Sequence, residues 1–250
     1  MAGRVTWIGH ATALIELDGV RLLTDPLLRN HLGHLRRHGP APDPEALRHV
    51  DAVLISHLHF DHLDVPSLRR LPRGVRMLVP RGAGGFLRRQ GFPGAEELAP
   101  GDRADVGGVA VAAVPAVHDR RRRPYAGGPE ADAIGFVAGG RVYFAGDTDL
   151  FDAMAELRGT DVALIPVWGW GPSLGAGHLD PAAAARAAAL LRPRVAIPIH
   201  WGTFYPRGLA RYKADRLRDP PHEFAAAVAE VAPGVDVQVL TPGQALALPG

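Results

Sequence analysis

Short apolar runs that stop at a histidine or an aspartate are what most limits the folds open to this chain. The clearest is Asp51-Ala52-Val53-Leu54-Ile55-Ser56, which leads straight into His57-Leu58-His59-Phe60-Asp61-His62. Three more follow the same plan: 109–114 before Pro115-Ala116-Val117-His118, 141–145 before Gly146-Asp147-Thr148, and 195–199 before His200. Apolar runs of this length bounded by polar turns read as buried strands. Polar residues at strand ends collect on one rim of a sheet, whereas residues scattered along strands do not. The pattern therefore predicts that His57, His59, Asp61, His62, His118, Asp147 and His200 converge.

Those seven offer imidazole and carboxylate groups, and the chain has no cysteine. Nitrogen and oxygen donors without thiolate suit a divalent metal of the zinc or manganese kind. Seven donors exceed the needs of one tetrahedral ion but suit two ions sharing a carboxylate. The missing cysteine also excludes disulfides.

The intervening segments predict an α/β protein. Strands are expected at 5–8, 13–17, 20–24, 51–56, 76–79, 109–114, 133–138, 141–145, 162–166, 195–199 and 235–240. Asp18-Gly19 and Gly139-Gly140 supply hairpin turns. Helices are expected near 65–70, 82–90, 181–191 and 221–231, the third started by Asp180 as N-cap and Pro181 in the first turn. Residues 28–48 read as a long surface loop with a helical turn near 44–49. Alternating strands and helices in both halves favour two sheets packed face to face, with helices on the outer faces. No linker or composition shift divides the chain, so one domain over 1–250 is expected.

Charge and targeting signals narrow the setting. The net charge is only +2, which gives little support for nucleic-acid binding despite a pI near 9.4. No apolar run approaches the length that crosses a bilayer. The first strand begins almost at once, without the pattern of a secretory signal. A cytoplasmic protein with a small-molecule substrate, and neither nucleic acid nor membrane as partner, is the expectation.

The order His-x-His-x-Asp-His, then a histidine after a strand, then Gly-Asp-Thr, then a late histidine resembles the metallo-β-lactamase superfamily of hydrolases. Gly9-His10-Ala11-Thr12, Thr24-Asp25-Pro26, Ser56-His57 and His200-Trp201-Gly202-Thr203 are similar to two of its branches. These are the N-acyl-phosphatidylethanolamine phospholipase D group and the ascorbate-6-phosphate lactonase group. The resemblance implies a four-layer αββα sandwich with two metals in the groove between the sheets. His57, His59 and His118 would hold the first metal, Asp61, His62 and His200 the second, and Asp147 would bridge them. Zinc fits these ligands best, with manganese or iron also compatible. A metal-bridging hydroxide would attack a phosphorus or carbonyl centre of a small phosphodiester, phosphorylated sugar or lactone. Asp61 would orient that hydroxide and pass on its proton. The resemblance also turns His178 towards the active site, as a substrate-binding or proton-donating residue.

Other classes are distinguishable. An iron-dependent oxidoreductase of the same fold would keep the ligands, its flavin-linked form needing a further domain. A nuclease would need a segment that clamps nucleic acid, and a binding module would have lost ligands. Around the core motif, His10 and Asp25 read as residues that orient ligands. Trp168 and Trp170 read as pocket walls. The run Arg120 to Arg123 is either a phosphate site or a solvated charge run. His31, His34 and His38 do not follow strands and stay outside the metal site. The loop after His118 is Arg-rich and lacks tryptophan, which argues against a lipid substrate.

Overall fold

Side chains alternate across a strand, so a strand buried on both faces must feed two separate apolar layers. The computed structural model describes residues 3–123 and 127–249 and follows this rule throughout. One sheet contains β1 (Gly3–Gly9), β2 (Thr12–Leu17) and β3 (Val20–Thr24). It also contains β6 (Ala52–Leu54), β7 (Arg76–Pro80), β8 (Ala95–Leu98) and β17 (Ala245–Ala247). The second is built from β9 (Arg103–Val106), β10 (Val109–Pro115), β11 (Ile134–Ala138) and β12 (Val142–Phe144). β13 (Val162–Pro166), β14 (Val195–Ile199) and β16 (Asp236–Val237) complete it. The strand orders are β17-β1-β2-β3-β6-β7-β8 and β16-β14-β13-β12-β11-β10-β9.

Leu22, Leu54 and Leu78 face inward against Phe136, Phe144 and Leu164 of the other sheet, forming the central core. Their neighbours Leu23, Val53 and Val79 face outward, under Leu68 of α1 (Val65–Leu68) and Leu87 of α2 (Gly84–Arg89). On the far side, Tyr143, Ala163 and Ile165 pack beneath α3 (Pro181–Leu191) and α4 (Pro220–Val231). The layers run helix, sheet, sheet, helix. Asp180 starts α3 as expected, its carboxylate accepting from Ala183 N at 2.7 Å. The alanine-rich face of α3 lets it lie close on both β13 and α4.

Strand direction explains the converging rim. β3, β6 and β7 are mutually parallel, and β1 runs the same way because two antiparallel pairings separate it from β3. In the other sheet β10, β12, β13 and β14 share one direction by the same logic. His10, Asp25, His57, His118, Asp147, Trp168 and His200 each follow the carboxyl end of one of these strands. That edge is where open α/β sheets place their ligands.

Three expectations need correcting. Residues 28–48 are not only loop: β4 (His31–Leu32) and β5 (Leu35–Arg37) form a hairpin that pairs with β15 (Phe204–Pro206) in a small third sheet. The strand expected over 235–240 shrinks to β16, and the chain then crosses to pair with β1. β8 and β9 were not anticipated, because the charged positions of 95–98 and 103–106 mask their alternation. Among the described residues, no helix is long and apolar enough to cross a membrane.

Candidate metal centre

All seven predicted residues come together, and they do so as two adjoining groups. In the first, His59 Nδ1 lies 3.0 Å from His57 Nε2 and 3.0 Å from His118 Nε2. In the second, His62 Nε2 and His200 Nε2 are 3.1 Å apart. Asp61 Oδ2 stands 3.7 and 3.6 Å from those two nitrogens. Asp147 Oδ2 lies 3.2 Å from His62 Nε2 and 3.3 Å from His200 Nε2, and Asp147 also clusters with His118 and His178. Asp147 therefore touches both groups.

The far nitrogens of four of these rings are already committed. His118 Nδ1 donates to Gly177 O and His200 Nδ1 to Trp168 O, each at 2.7 Å. His62 Nδ1 donates to Asp25 Oδ2 at 2.7 Å. His57 Nδ1 donates to Ser56 Oγ at 2.9 Å, and Ser56 Oγ donates on to Asp25 Oδ2 at 2.5 Å. A ring that donates from Nδ1 presents a bare lone pair at Nε2. The inward ring nitrogens and carboxylate oxygens therefore crowd one another at 3.0 to 3.7 Å, an arrangement that a cation relieves and that outer partners of this kind orient. His59 Nε2 and Asp147 Oδ1 are buried without a partner. The donor set fits divalent metals.

The electrostatics agree. Burial first, then neighbouring imidazoles, holds His57 well below its ordinary pKa. Burial likewise takes His118 down to about 4. Both are thus neutral, the form that binds metal. Burial works to raise the Asp61 and Asp147 carboxyls, yet the imidazoles of His62 and His200 beside them keep both well below the usual range. Burial opposes a charge on His62, but the carboxylates of Asp147, Asp61 and Asp25 lift it well above 6.5. One group is thus neutral nitrogen, and the other is rich in negative charge.

The flanking motifs prove to be the scaffold of this centre. His10 (φ 56°), Asp25 (φ 31°) and His200 (φ 63°) all occupy the left-handed region, which costs non-glycine residues of order 1–3 kcal/mol each. Hydrogen bonds hold them there. His10 O accepts from Trp7 Nε1 and His200 N, and Thr203 Oγ1 accepts from His10 N. Thr12 Oγ1 donates to Asp25 O. His10 Nε2 in turn bonds Asp61 Oδ2 at 2.9 Å. At Gly146 (φ 62°) a Cβ would lie 2.5 Å from Ser56 Cβ, so only glycine lets Asp147 stand beside the Ser56-His57 turn.

Above the centre lies a cavity of about 470 Å³ whose lining includes Arg29, Leu32, Leu35, Phe60, Trp170 and His178, with Asp61 and Asp147. His178 Nε2 is 3.5 Å from Asp147 Oδ2. Burial lowers its pKa, but the Asp147 carboxylate reverses this and takes it up to about 9. Trp170 does line the cavity, but Trp168 does not: it is buried, and its carbonyl holds His200. The four arginines do not act together. Arg120 pairs with Asp132 and Arg121 with Asp119. Arg122 is 7% exposed and donates to Leu58 O and Leu63 O, bracketing the ligand loop between Phe60 and Phe86. Arg123 lies farther over the Phe60 ring.

His34, at the hairpin tip, also lines the cavity and meets the Trp170 ring edge-on. Sequence reasoning missed it along with Leu32 and Leu35. The signal was present in His31-Leu32-Gly33-His34-Leu35, where Gly33 (φ 55°) opens a two-residue turn. The carbonyls of Gly177 and Trp168 had no signal, since any residue supplies one.

Comparison with known proteins places these features in context. The model of the beta-lactamase superfamily domain matches residues 20–201. An uncharacterised protein of Mycobacterium tuberculosis is 35% identical over 218 residues, 80% of this chain and only 59% of that protein's length. A UPF0173 metal-dependent hydrolase of Methanopyrus kandleri is 33% identical, over 96% of this chain and 98% of its own. An N-acyl-phosphatidylethanolamine-hydrolyzing phospholipase D of Caenorhabditis elegans is 31% identical, over 86% and 68%. Igni18, a metallo hydrolase from Ignicoccus hospitalis, superposes with a TM-score of 0.73 at 26% identity over all of both chains.

Proposed function

The chain belongs to the β-lactamase superfamily, and from that premise we propose that it is a hydrolase working with two divalent cations. The observation that carries the reading is the convergence of imidazole nitrogens at 3.0 to 3.1 Å from one another, next to carboxylates that stay ionised. His57, His59 and His118 would hold one cation, and Asp61, His62 and His200 the other, with Asp147 between them. Zinc suits this donor set best. Bound there, such ions supply Lewis acidity and make a water molecule acidic near neutral pH.

The chain's own groups do the rest. His10 Nε2 fixes Asp61 Oδ2 at 2.9 Å, in position to orient the attacking water and accept its proton. His178 Nε2, at the cavity wall, is in position to donate to the leaving-group oxygen. Leu32, Leu35, Phe60 and Trp170 line the cavity, so a bound substrate displaces water from beside the reacting bond. The substrate is a small molecule, a phosphodiester, phosphorylated sugar or lactone, met in the cytoplasm.

Metal analysis of protein purified without added ions is the test. About two zinc or manganese ions per chain supports the proposal. One iron per chain would favour an oxidoreductase instead, and protein without metal would sink both. Turnover of phosphodiesters, phosphomonoesters, lactones or thioesters by the metal-loaded protein must also vanish in His59→Ala. Activity that persists there belongs to another centre.

A further inference from the structure

The wall of the cavity identifies the part of the substrate that does not react. Leu32 and Leu35 face each other across the hairpin and line the cavity together. Phe60, 40% exposed, and Trp170, 37% exposed, line the same cavity. Large apolar side chains left in contact with water around a concave site, directly beside a charged centre, are what an apolar ligand group recognises.

The arginines on the same wall are already occupied, and His178 faces Asp147. Among the described lining residues only Arg29 and Arg122 carry a permanent positive charge. Arg29 makes a two-pronged ion pair with Asp64, at 2.9 and 2.6 Å. Arg122 is spent on the Leu58 and Leu63 carbonyls and sits against the Phe60 and Phe86 rings. Neither can turn to a phosphate remote from the reacting bond without leaving a buried partner unpaired, a costly exchange. At about 470 Å³ the cavity lies in the lower half of the usual range for small-ligand sites. That is room for one compact group.

We propose that the substrate is an uncharged lactone or carboxylic ester bearing one compact alkyl or aryl group, which seats in the cavity against Leu32, Leu35, Phe60 and Trp170. This inference rests on the hydrolytic reading and narrows it. Water adds to the carbonyl carbon, the bond from that carbon to the ring or ester oxygen breaks, and that oxygen takes a proton. The acid product loses its own proton to solvent. A neutral reaction centre asks no counter-charge of the wall, and the carboxylate product meets no unengaged arginine there to retain it.

The test is a series of γ-lactones with side chains from methyl to hexyl, set beside the δ-lactone of a hexose 6-phosphate, all with metal-loaded protein. kcat/KM is expected to rise about fourfold per added methylene until the cavity is full. The phosphorylated lactone should fall at least tenfold below the butyl compound. Leu32→Asp, on the half-exposed hairpin, should flatten the alkyl dependence. A flat series in the unaltered protein, or preference for the phosphorylated lactone, overturns the proposal. A binding arm keeps its failure distinct from that of the hydrolase reading. If no substrate of any class turns over, the hydrolase reading fails, and calorimetric titration with 1-hexanol decides the apolar seat. Affinity weakened tenfold by Leu32→Asp supports it, and binding that is absent, or unchanged in the variant, refutes it.

Discussion

The rim that carries the metal-ligating candidates and the hairpin that walls the cavity are held by different means. On the rim, most of the polar side chains follow strands buried on both faces, and bonds between Thr203 and His10, Thr12 and Asp25, and Ser56 and Asp25 fix the backbone. Three of its residues tolerate left-handed backbone because so many bonds hold them. The hairpin has short strands, one exposed face and a single neighbour, β15. Chemistry placed on the rim is therefore intolerant of change, while specificity placed on the hairpin can vary at low cost to the fold.

The largest effect should come from the rim itself. His59→Ala removes the nitrogen that stands between His57 and His118 and should lower activity by more than about 100-fold. Circular dichroism of the variant should remain native, since His59 is not part of an apolar layer. Gly146→Ala should come next, costing about 3 kcal/mol in a denaturant titration, because the new Cβ meets Ser56 while φ stays at 62°. Ser56 cannot yield, being bonded to Asp25 and His57.

Asp25→Asn tests whether the rim's outer partners matter as much as its ligands. It keeps the shape but weakens the hold on His62 Nδ1 and Ser56, and should lower metal affinity about 10- to 100-fold by competition with a chelator. Stripping the metal from the unaltered protein should lower Tm, since a cation bound at 100 times its Kd adds about 2.7 kcal/mol. The smallest effect belongs to the hairpin. His34→Ala should change stability by less than about 0.5 kcal/mol and alter KM for substrate without touching metal content. A large stability loss there would erase the distinction between rim and wall.

Much of the rim could be read in advance because it depends on local rules. The period-two alternation at Val53-Leu54 or Tyr143-Phe144 sorts residues into layers, and a histidine just past such a run has nowhere to go but the edge. The capped start at Asp180-Pro181 is equally local. The hairpin was missed because the short stretch from His31 to Arg37, with its glycine turn, resembles any surface loop until β15, far along the chain, is known to pair with it. The roles of Trp168 and Arg122 were hidden for a related reason. Trp168 acts through its main-chain carbonyl and Arg122 by gripping two carbonyls of a distant loop, so neither leaves a trace in residue type.

Composition and order alone determined that imidazoles and carboxylates would gather at strand ends, since alternation and turn chemistry are properties of neighbours in the chain. Tertiary structure decided which nitrogen of His62, His118 and His200 points inward, because the outer partners Asp25, Gly177 and Trp168 lie far away in the chain. It also decided what lines the cavity above the centre, where Leu32, Phe60 and Trp170 come from three segments that no local rule brings together.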